Sequence, residues 1–264
     1  MTSQDNQRTL HTLTLCCCGV IAYIITNLSH EAIGHGLTSF LLGNRITLLN
    51  SAYFRSWPHS FFTDAMGPIM NLVMGLIFFI ILNRTSSRNL YIKLILLLTM
   101  AFNLFCFSWL CVYAGVTNTG DFAFDVSGLM SIFTWRGILI ATGLITYYLS
   151  FMLVLQSSRQ TFSVSDGSYS RKFLSQLFRT PYFAAGIAAW TAISFFMPIS
   201  FNNYYESFVF AMFSPLLFIP GYLKVQRPAT DTFGASRGFQ LKLISSILAL
   251  FVIFCLTMGR GMEF

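Results

Sequence analysis

The sequence predicts an all-α polytopic membrane protein with about seven transmembrane helices. Hydrophobic residues make up 55% of its 264 residues and charged residues only 9%, whereas soluble domains carry about 25% charged residues. The apolar residues are grouped into segments long enough to cross the roughly 30 Å hydrocarbon core of a bilayer. These observations predict a single membrane domain over residues 1–264, in contact with lipid along its length.

The apolar segments follow one another with polar stretches between them. Polar residues interrupt the first segment near position 30, and at about 1.5 Å per residue this segment is longer than the bilayer core. The sixth segment is shorter than the others. We expect the seven helices at residues 10–42, 61–82, 90–115, 137–155, 182–199, 208–222 and 241–258.

Residues 45–60, between the first two segments, mix polar and aromatic side chains. This stretch lacks the sustained apolar character of a membrane-spanning helix. It is bounded by Gly43-Asn44 and by Pro58, residues typical of turns and helix ends. We expect a short hairpin or a re-entrant loop here.

The net charge of +7 is distributed over the loops and indicates membrane topology. Twelve of the sixteen lysines and arginines fall on one side of the predicted alternation of helices. Cytoplasmic loops carry the excess of basic residues, so we expect a cytoplasmic N-terminus and an external C-terminus, in the bacterial inner membrane. Because the basic residues form no compact patch, we expect no nucleic-acid partner. The four on the other side are Arg45, Arg55, Arg136 and Arg260.

A cluster of ionisable residues, His30, Glu31 and His35, lies in the second half of the first segment. Ionisable groups at membrane depth are costly and usually have a partner or face a cavity. Their pattern, H-E-x-x-G-H, is one residue longer than the H-E-x-x-H of zinc peptidases, in which two histidines bind zinc and the glutamate is the general base. A simpler alternative is that Glu31 and His35 pair with each other across one turn of helix.

The longer spacing has a structural consequence. Residues five positions apart differ by about 140° around a regular α-helix, so His30 and His35 would not face the same ion. A π-helical turn accommodates one extra residue and returns the two side chains to the same face, and such turns favour functional sites. We therefore predict a widened turn around residues 32–34, in place of a straight α-helix over 27–42.

A third metal ligand is expected from another segment. A catalytic zinc site uses three protein ligands and one open position, and the alternation of spans brings three segments to the same outer level. Asp121 is the first choice, because Gly120 permits close approach of the backbone. The competitors, in order, are Asp125, Asp64 and His59. Asp121 could instead cap the next segment.

The motif on the first helix, followed by Ala65-Met-Gly-Pro-Ile-Met-Asn71 on the second, resembles the site-2 protease family of intramembrane zinc metalloproteases. This resemblance implies Zn²⁺ held by His30, His35 and an aspartate on a later helix, with Glu31 as the catalytic base. It further implies that Asn71 helps to hold the substrate strand, although an asparagine here also suits a hydrogen bond between helices.

The resemblance covers roughly residues 20–125, within a protease-like core at about 10–130, and leaves out the additional helices over 137–258. The stretch Asn118-Thr-Gly-Asp121 is a faint counterpart of the family's third motif and lacks its prolines. The six-residue pattern is also similar to the zinc motif of dipeptidyl peptidase III, which lies on a bulged helix.

Together these features predict an intramembrane zinc metalloprotease that cleaves a membrane protein or peptide substrate within or next to the bilayer, with Glu31 activating a water molecule at the zinc ion. The alternative is a non-catalytic protease-like membrane protein, or a carrier that uses the His/Asp cluster as an ion or partner site.

Overall fold

The computed structural model describes residues 3–87, 89–162, 170–196, 214–223 and 236–264, which are mostly helical. Two π-helical segments, Ser29–Leu37 and Cys255–Gly259, each continue the α-helix that precedes them, and a 3-10 turn covers Pro215–Leu217. The helices are α1 (Ser3–Leu28), α2 (Thr38–Leu41), α3 (Phe61–Arg84), α4 (Leu90–Thr117), α5 (Ile132–Phe162), α6 (Arg171–Ile193), α7 (Ile219–Tyr222) and α8 (Arg237–Phe254).

Five helices in these ranges are long and apolar enough to cross a membrane. This finding confirms the predicted mostly helical fold with several potential membrane spans, whereas the predicted count of about seven stays a prediction. The first span joins α1, the π segment and α2 into one continuous rod of 35 residues. The five are Gln7–Leu41, Phe61–Arg84, Leu90–Thr117, Ile132–Phe162 and Arg237–Gly259.

The two remaining predicted segments differ from expectation. The helix predicted over 182–199 begins earlier, at Arg171. Its first half contains basic residues, which give no apolar signal in the sequence but still form part of the helix. The basic residues Arg171, Lys172 and Arg179 interrupt the hydropathy signal but not the helix. Of the predicted segment 208–222, only the part from residue 214 lies among the described residues, where it forms the 3-10 turn and α7.

The helix α4 lies at the centre of the fold. Its most apolar stretch is 72% buried, against 50% or less in the other four spans, and it packs on α1, α3 and α5. Asn103 of α4 donates a hydrogen bond to the Thr26 hydroxyl of α1 at 2.9 Å. The helix ends at Asn118, whose left-handed conformation (φ 57°) turns the chain back toward the bundle.

A small antiparallel sheet covers the end of the bundle next to the polar cluster. Strands β1 (Arg45–Leu49) and β2 (Phe54–Trp57) form a hairpin, which confirms one of the two predicted forms of residues 45–60. A short C-terminal strand, β3 (Met262–Glu263), adds to β1 in the order β2-β1-β3. The sequence did not predict this pairing, which brings the end of the chain beside the hairpin.

Candidate metal centre

The predicted widened turn is confirmed, since Ser29–Leu37 forms a π-helix. A π-helix closes its hydrogen bonds between residues five positions apart, so His30 and His35 lie one above the other on the same face. Their ring centroids are 4.7 Å apart and the ring planes are nearly perpendicular, at 87°. The extra residue in the motif therefore brings the two imidazoles together.

Each imidazole is oriented by an oxygen acceptor on α3. Nδ1 of His30 donates to the side-chain oxygen of Asn71 at 2.9 Å, and Nδ1 of His35 donates to the Thr63 carbonyl at 2.7 Å. A carbonyl oxygen only accepts hydrogen bonds, so the proton of each neutral ring resides on Nδ1. Each Nε2 then carries a lone pair, which is the arrangement of a metal-binding histidine.

The two Nε2 atoms and the Asp121 carboxylate converge on one point. The Nε2 atoms of His30 and His35 are 3.2 Å apart. The carboxylate oxygens of Asp121 lie 3.1 Å from Nε2 of His30 and 3.8 Å from Nε2 of His35. Two nitrogens bound tetrahedrally to one zinc ion at about 2.0–2.1 Å would be about 3.3 Å apart. This group could therefore hold a metal ion.

Asp121 reaches the histidines from the loop between α4 and α5. Its burial acts to raise the pKa of the carboxyl group, but the hydrogen bond with His30 and the positive charge that the two imidazoles carry when protonated outweigh burial and lower the pKa below its usual value. The Asp121 carboxyl group is therefore ionised at neutral pH, which is the form that binds metal ions.

The three competing ligands have other partners, although Asp64 lines the same cavity as the two histidines and Asp121. Asp64 pairs with His59 at 2.8 Å, and the His59 side chain is 71% exposed. The Asp125 carboxylate accepts a hydrogen bond from the Ser127 backbone at 2.8 Å, and this bond lowers the pKa of Asp125. Neither aspartate belongs to the group of ligand atoms formed by the two histidines and Asp121.

The close approach of the π segment to α3 depends on two glycines. A Cβ added to Gly34 would lie 2.6 Å from the Gly67 Cα, and a Cβ added to Gly67 would overlap Nε2 of His35 and lie 2.9 Å from Cε1 of His30. Real Cβ atoms do not approach other atoms this closely. The glycine of the Gly67-Pro68 pair therefore provides the space that both imidazoles occupy.

Glu31 is buried beside the point on which the ligand atoms of His30, His35 and Asp121 converge. It is 5% exposed, and its Oε2 has no hydrogen-bond partner among the described residues. Glu31 lines a cavity of about 330 Å³ together with His30, His35 and Asp121. A buried carboxyl oxygen without a partner is costly, which favours a function for it inside the cavity.

The site includes contacts that sequence reasoning missed. Asn71 is fully buried and contacts Nδ1 of His30, which is the interhelical hydrogen bond that the sequence offered as an alternative to a role toward substrate; the substrate role stays a prediction. Thr63 orients His35 through a backbone carbonyl, which no side-chain pattern can reveal. The Phe54 ring of β2 stacks on His35 with centroids 5.3 Å apart. Only the hairpin prediction placed this residue near the site.

Comparisons with known proteins add no further assignment. No protein-family model, curated protein or solved structure matches the chain. The geometry of His30, His35 and Asp121 alone therefore indicates a candidate metal centre.

Proposed function

We propose that the protein is an intramembrane zinc metalloprotease that hydrolyses a peptide bond of a membrane protein or peptide substrate within or next to the bilayer. The observation that carries the proposal is the convergence of two Nε2 atoms and one carboxylate on a common point, while Nδ1 of each imidazole faces an oxygen acceptor on α3. Beside that point lies a buried, unpartnered glutamate in a cavity.

A shared cation accounts for this arrangement better than hydrogen bonding within the cluster. Two lone pairs 3.2 Å apart repel each other unless a positive charge lies between them. A single shared proton could join only two of the ligand atoms by a hydrogen bond. All three ligand atoms, however, lie within 4.8 Å of one another. Two imidazoles and one carboxylate, with a further position open to the cavity, fit the ligand set of catalytic zinc.

The chemistry follows from the residues around the ion. Zinc at this position would act as a Lewis acid toward a carbonyl oxygen and a water molecule. Glu31 adjoins His30 and has a free carboxyl oxygen, so it can accept the proton as water attacks the scissile carbon and later return it to the leaving amine. Asn71 and the Thr63 carbonyl hold the imidazoles in place throughout.

The substrate would approach along the hairpin. Ala52, Tyr53 and Phe54 line the cavity, and β2 is an outer strand of the sheet. An outer strand can pair with an extended peptide. A helical substrate has its carbonyl groups hydrogen-bonded internally, so it must unwind locally, and pairing with β2 would stabilise the unwound stretch beside the metal centre.

We further propose that the centre lies in the outer half of the membrane, with a cytoplasmic N-terminus and an external C-terminus. The excess of basic residues on one set of loops supports this orientation. The pairing of β3 with β1 agrees with it, because both the hairpin and the C-terminus are assigned to the external side. Reporter fusions at residue 264 and within the hairpin would test the assignment.

Metal analysis combined with two substitutions tests the proposed function. Purified protein is expected to contain about one zinc per chain, and His35→Ala is expected to lose it. His59→Ala, a substitution of an exposed histidine, is the matched control and should retain zinc. Glu31→Gln should keep the metal and lower proteolysis by at least about a hundredfold, the scale of general-base catalysis.

The contrary outcomes separate the alternatives. If His35→Ala retained zinc, His35 would be excluded as a ligand and the proposed ligand set would be wrong. Zinc present in the wild type, with equal cleavage by wild type and Glu31→Gln, would favour a structural ion site or a carrier.

A further inference from the structure

The first half of α6 has a basic face and an apolar face. Arg171, Lys172 and Arg179 are exposed, whereas the residues on the other side of the helix are buried in the core: Phe173, Leu174, Leu177 and Phe178. The Phe173 ring also stacks on His11 of α1, with centroids 5.7 Å apart. This packing holds the backbone of the basic face in a fixed position at the surface of the bundle.

A concavity of about 470 Å³ lies along the basic face. Its volume is within the range of ligand sites, roughly 300–1,000 Å³. The described residues that line it are cations or carry a hydroxyl or amide group that can donate a hydrogen bond. They are Arg171, Lys172, Ser175, Gln176, Arg179 and Thr180. A ligand in this concavity would meet positive charge and hydrogen-bond donors, which is an environment for an anion.

The positive charge of the basic face is not neutralised within the part of the chain that the structure describes. The ion pairs there all join histidines to Asp64 or Asp121. None of them involves the three cations of α6. Arginine presents a planar fork of donors that matches a phosphate group, and lysine is a compact charge that also binds phosphate. The three cations therefore suit a phosphate-bearing partner.

The same face of α6 becomes apolar beyond Arg179. The side chains of Phe183, Ile187 and Trp190 are 47%, 63% and 50% exposed. We define the α6 stripe as the six exposed residues that follow one another at intervals of three or four positions: Lys172, Gln176, Arg179, Phe183, Ile187 and Trp190. Residues at these intervals are neighbours on a helix surface. The stripe is thus continuous, with a polar part and an apolar part.

The apolar part of the α6 stripe has the length of one membrane leaflet. Eleven residues separate Arg179 from Trp190, which is about 16 Å along a helix. The hydrocarbon core of a bilayer is about 30 Å thick, so this distance is about half of it. The concavity then lies at the level of the lipid headgroups, and the apolar part lies beside the acyl chains of the same leaflet.

We propose that the α6 stripe binds one anionic glycerophospholipid, with its phosphate in the concavity beside Lys172 and Arg179 and an acyl chain along Phe183, Ile187 and Trp190. The site is separate from the metal centre and does not depend on the proposed function. Pro181, next to the concavity, packs on Gly19 of α1, eleven residues before His30. This separation is roughly 16 Å along the first helix.

The two parts of the stripe select for an anionic lipid over other phosphate compounds. A choline headgroup would bring its own positive charge next to the three cations. A soluble phosphate would meet the cations but gain no contact with the apolar part, so its binding would be weaker. A lipid with a net negative headgroup gains from both parts. Basic residues near an anionic membrane surface each favour such lipids by about fivefold.

Fluorescence of Trp190 tests the proposal, because a brominated acyl chain quenches a tryptophan that it touches. The full chain is reconstituted into phosphatidylcholine vesicles that contain a small share of brominated phosphatidylglycerol or of brominated phosphatidylcholine. The quenching that disappears in Trp190→Phe reports lipid on the α6 stripe. We expect brominated phosphatidylglycerol to have at least about a tenfold higher relative affinity than brominated phosphatidylcholine.

Two double variants locate the site. Lys172→Gln with Arg179→Gln removes two charges from the concavity, and we expect the preference to fall to within about twofold. Arg84→Gln with Lys93→Gln removes the same charge from the same end of the bundle. There the start of α4 contacts α1 through Tyr91 and His11, 2.7 Å apart. This control should keep the full preference. Glutamine is a good helix former, so all four exchanges preserve the helices.

Each contrary outcome overturns the proposal. Equal quenching by the two brominated lipids in the wild type would exclude a selective site. Equal loss of the preference in both double variants would mean that the whole basic side attracts anionic lipid diffusely. If excess inorganic phosphate relieved the quenching as well as unlabelled phosphatidylglycerol does, the ligand would be a soluble phosphate. Zinc content should be the same in all variants, so failure here leaves the proposed function standing.

Discussion

The Nε2 atoms of His30 and His35 lie 3.2 Å apart, although the residues are five positions apart on a helical segment. On a regular α-helix they would diverge by about 140°. The π-helix over Ser29–Leu37 cancels that rotation, and α3 supplies the oxygen acceptors that fix both rings. The geometry of the centre thus depends on one widened turn packed against one neighbouring helix.

Deleting Ala32 tests the role of the extra residue. The deletion converts the motif into His-Glu-Ile-Gly-His, which places the histidines four positions apart and on one face of a regular α-helix. We expect zinc affinity within about tenfold of wild type, because the π turn accommodates one residue that the shorter motif lacks.

The matched control removes a residue from a regular part of the same helix. Deleting the buried Ala22 would rotate everything before it by about 100°, and we expect a protein that does not fold. Both variants are compared by yield in detergent and by zinc content. Complete loss of zinc from a folded Ala32 deletion would contradict the account.

Gly67→Ala tests the close packing of α3 on the imidazoles. The new methyl group would overlap Nε2 of His35 and crowd Cε1 of His30, so the rings must move apart. We expect zinc affinity to fall at least about tenfold, the scale of disturbed support around metal ligands. Gly137→Ala, where an added Cβ meets nothing within 4 Å, should leave the affinity unchanged. Equal zinc affinity of the two variants would argue against this packing.

Two substitutions of Asn71 separate its positioning role from a substrate role. Asn71→Leu removes the oxygen that accepts from His30, and we expect zinc affinity to fall by about 10–100-fold. Asn71→Asp keeps an oxygen acceptor and should restore most of the affinity. If Asn71→Leu bound zinc normally and only raised KM, Asn71 would act on substrate, as the family resemblance implies.

Asp121→Asn tests the third ligand. The substitution removes the negative charge that approaches both histidines, and we expect zinc affinity to fall by at least about a hundredfold, more than for the loss of an outer-shell partner. Asp125→Asn is the matched control on the same loop and should retain the wild-type affinity. Calorimetric titration of zinc into chelator-treated protein measures both, and equal affinities would exclude Asp121 as a ligand.

Much of the site could be predicted from the sequence because its chemistry is carried by unusual residues in an apolar context. His30, Glu31 and His35 are conspicuous at membrane depth, and their spacing predicts the π turn once both histidines are required to face one ion. Asp121 followed from the alternation of spans, which places the ends of successive helices at the same level. The hairpin within residues 45–60 was one of two forms that the mixed composition of this stretch allowed, the other being a re-entrant loop.

The rest depends on contacts that a single sequence does not encode locally. The Thr63 carbonyl orients His35, yet any residue type would supply it. The pairing of β3 with β1 joins segments at opposite ends of the chain. The start of α6 at Arg171 was missed because a hydropathy pattern detects apolar length, whereas a helix can continue through basic residues at the edge of the membrane.

Zinc K-edge X-ray absorption of the purified Glu31→Gln variant, which is expected to be inactive, tests the central claim most directly. The account predicts one zinc per chain with two imidazole nitrogens and carboxylate oxygen at about 2.0–2.1 Å. It also predicts no zinc absorption edge from the His35→Ala variant, which is expected to lose the ion. A spectrum with sulfur ligands or a single imidazole, or a purified protein without zinc, would contradict it.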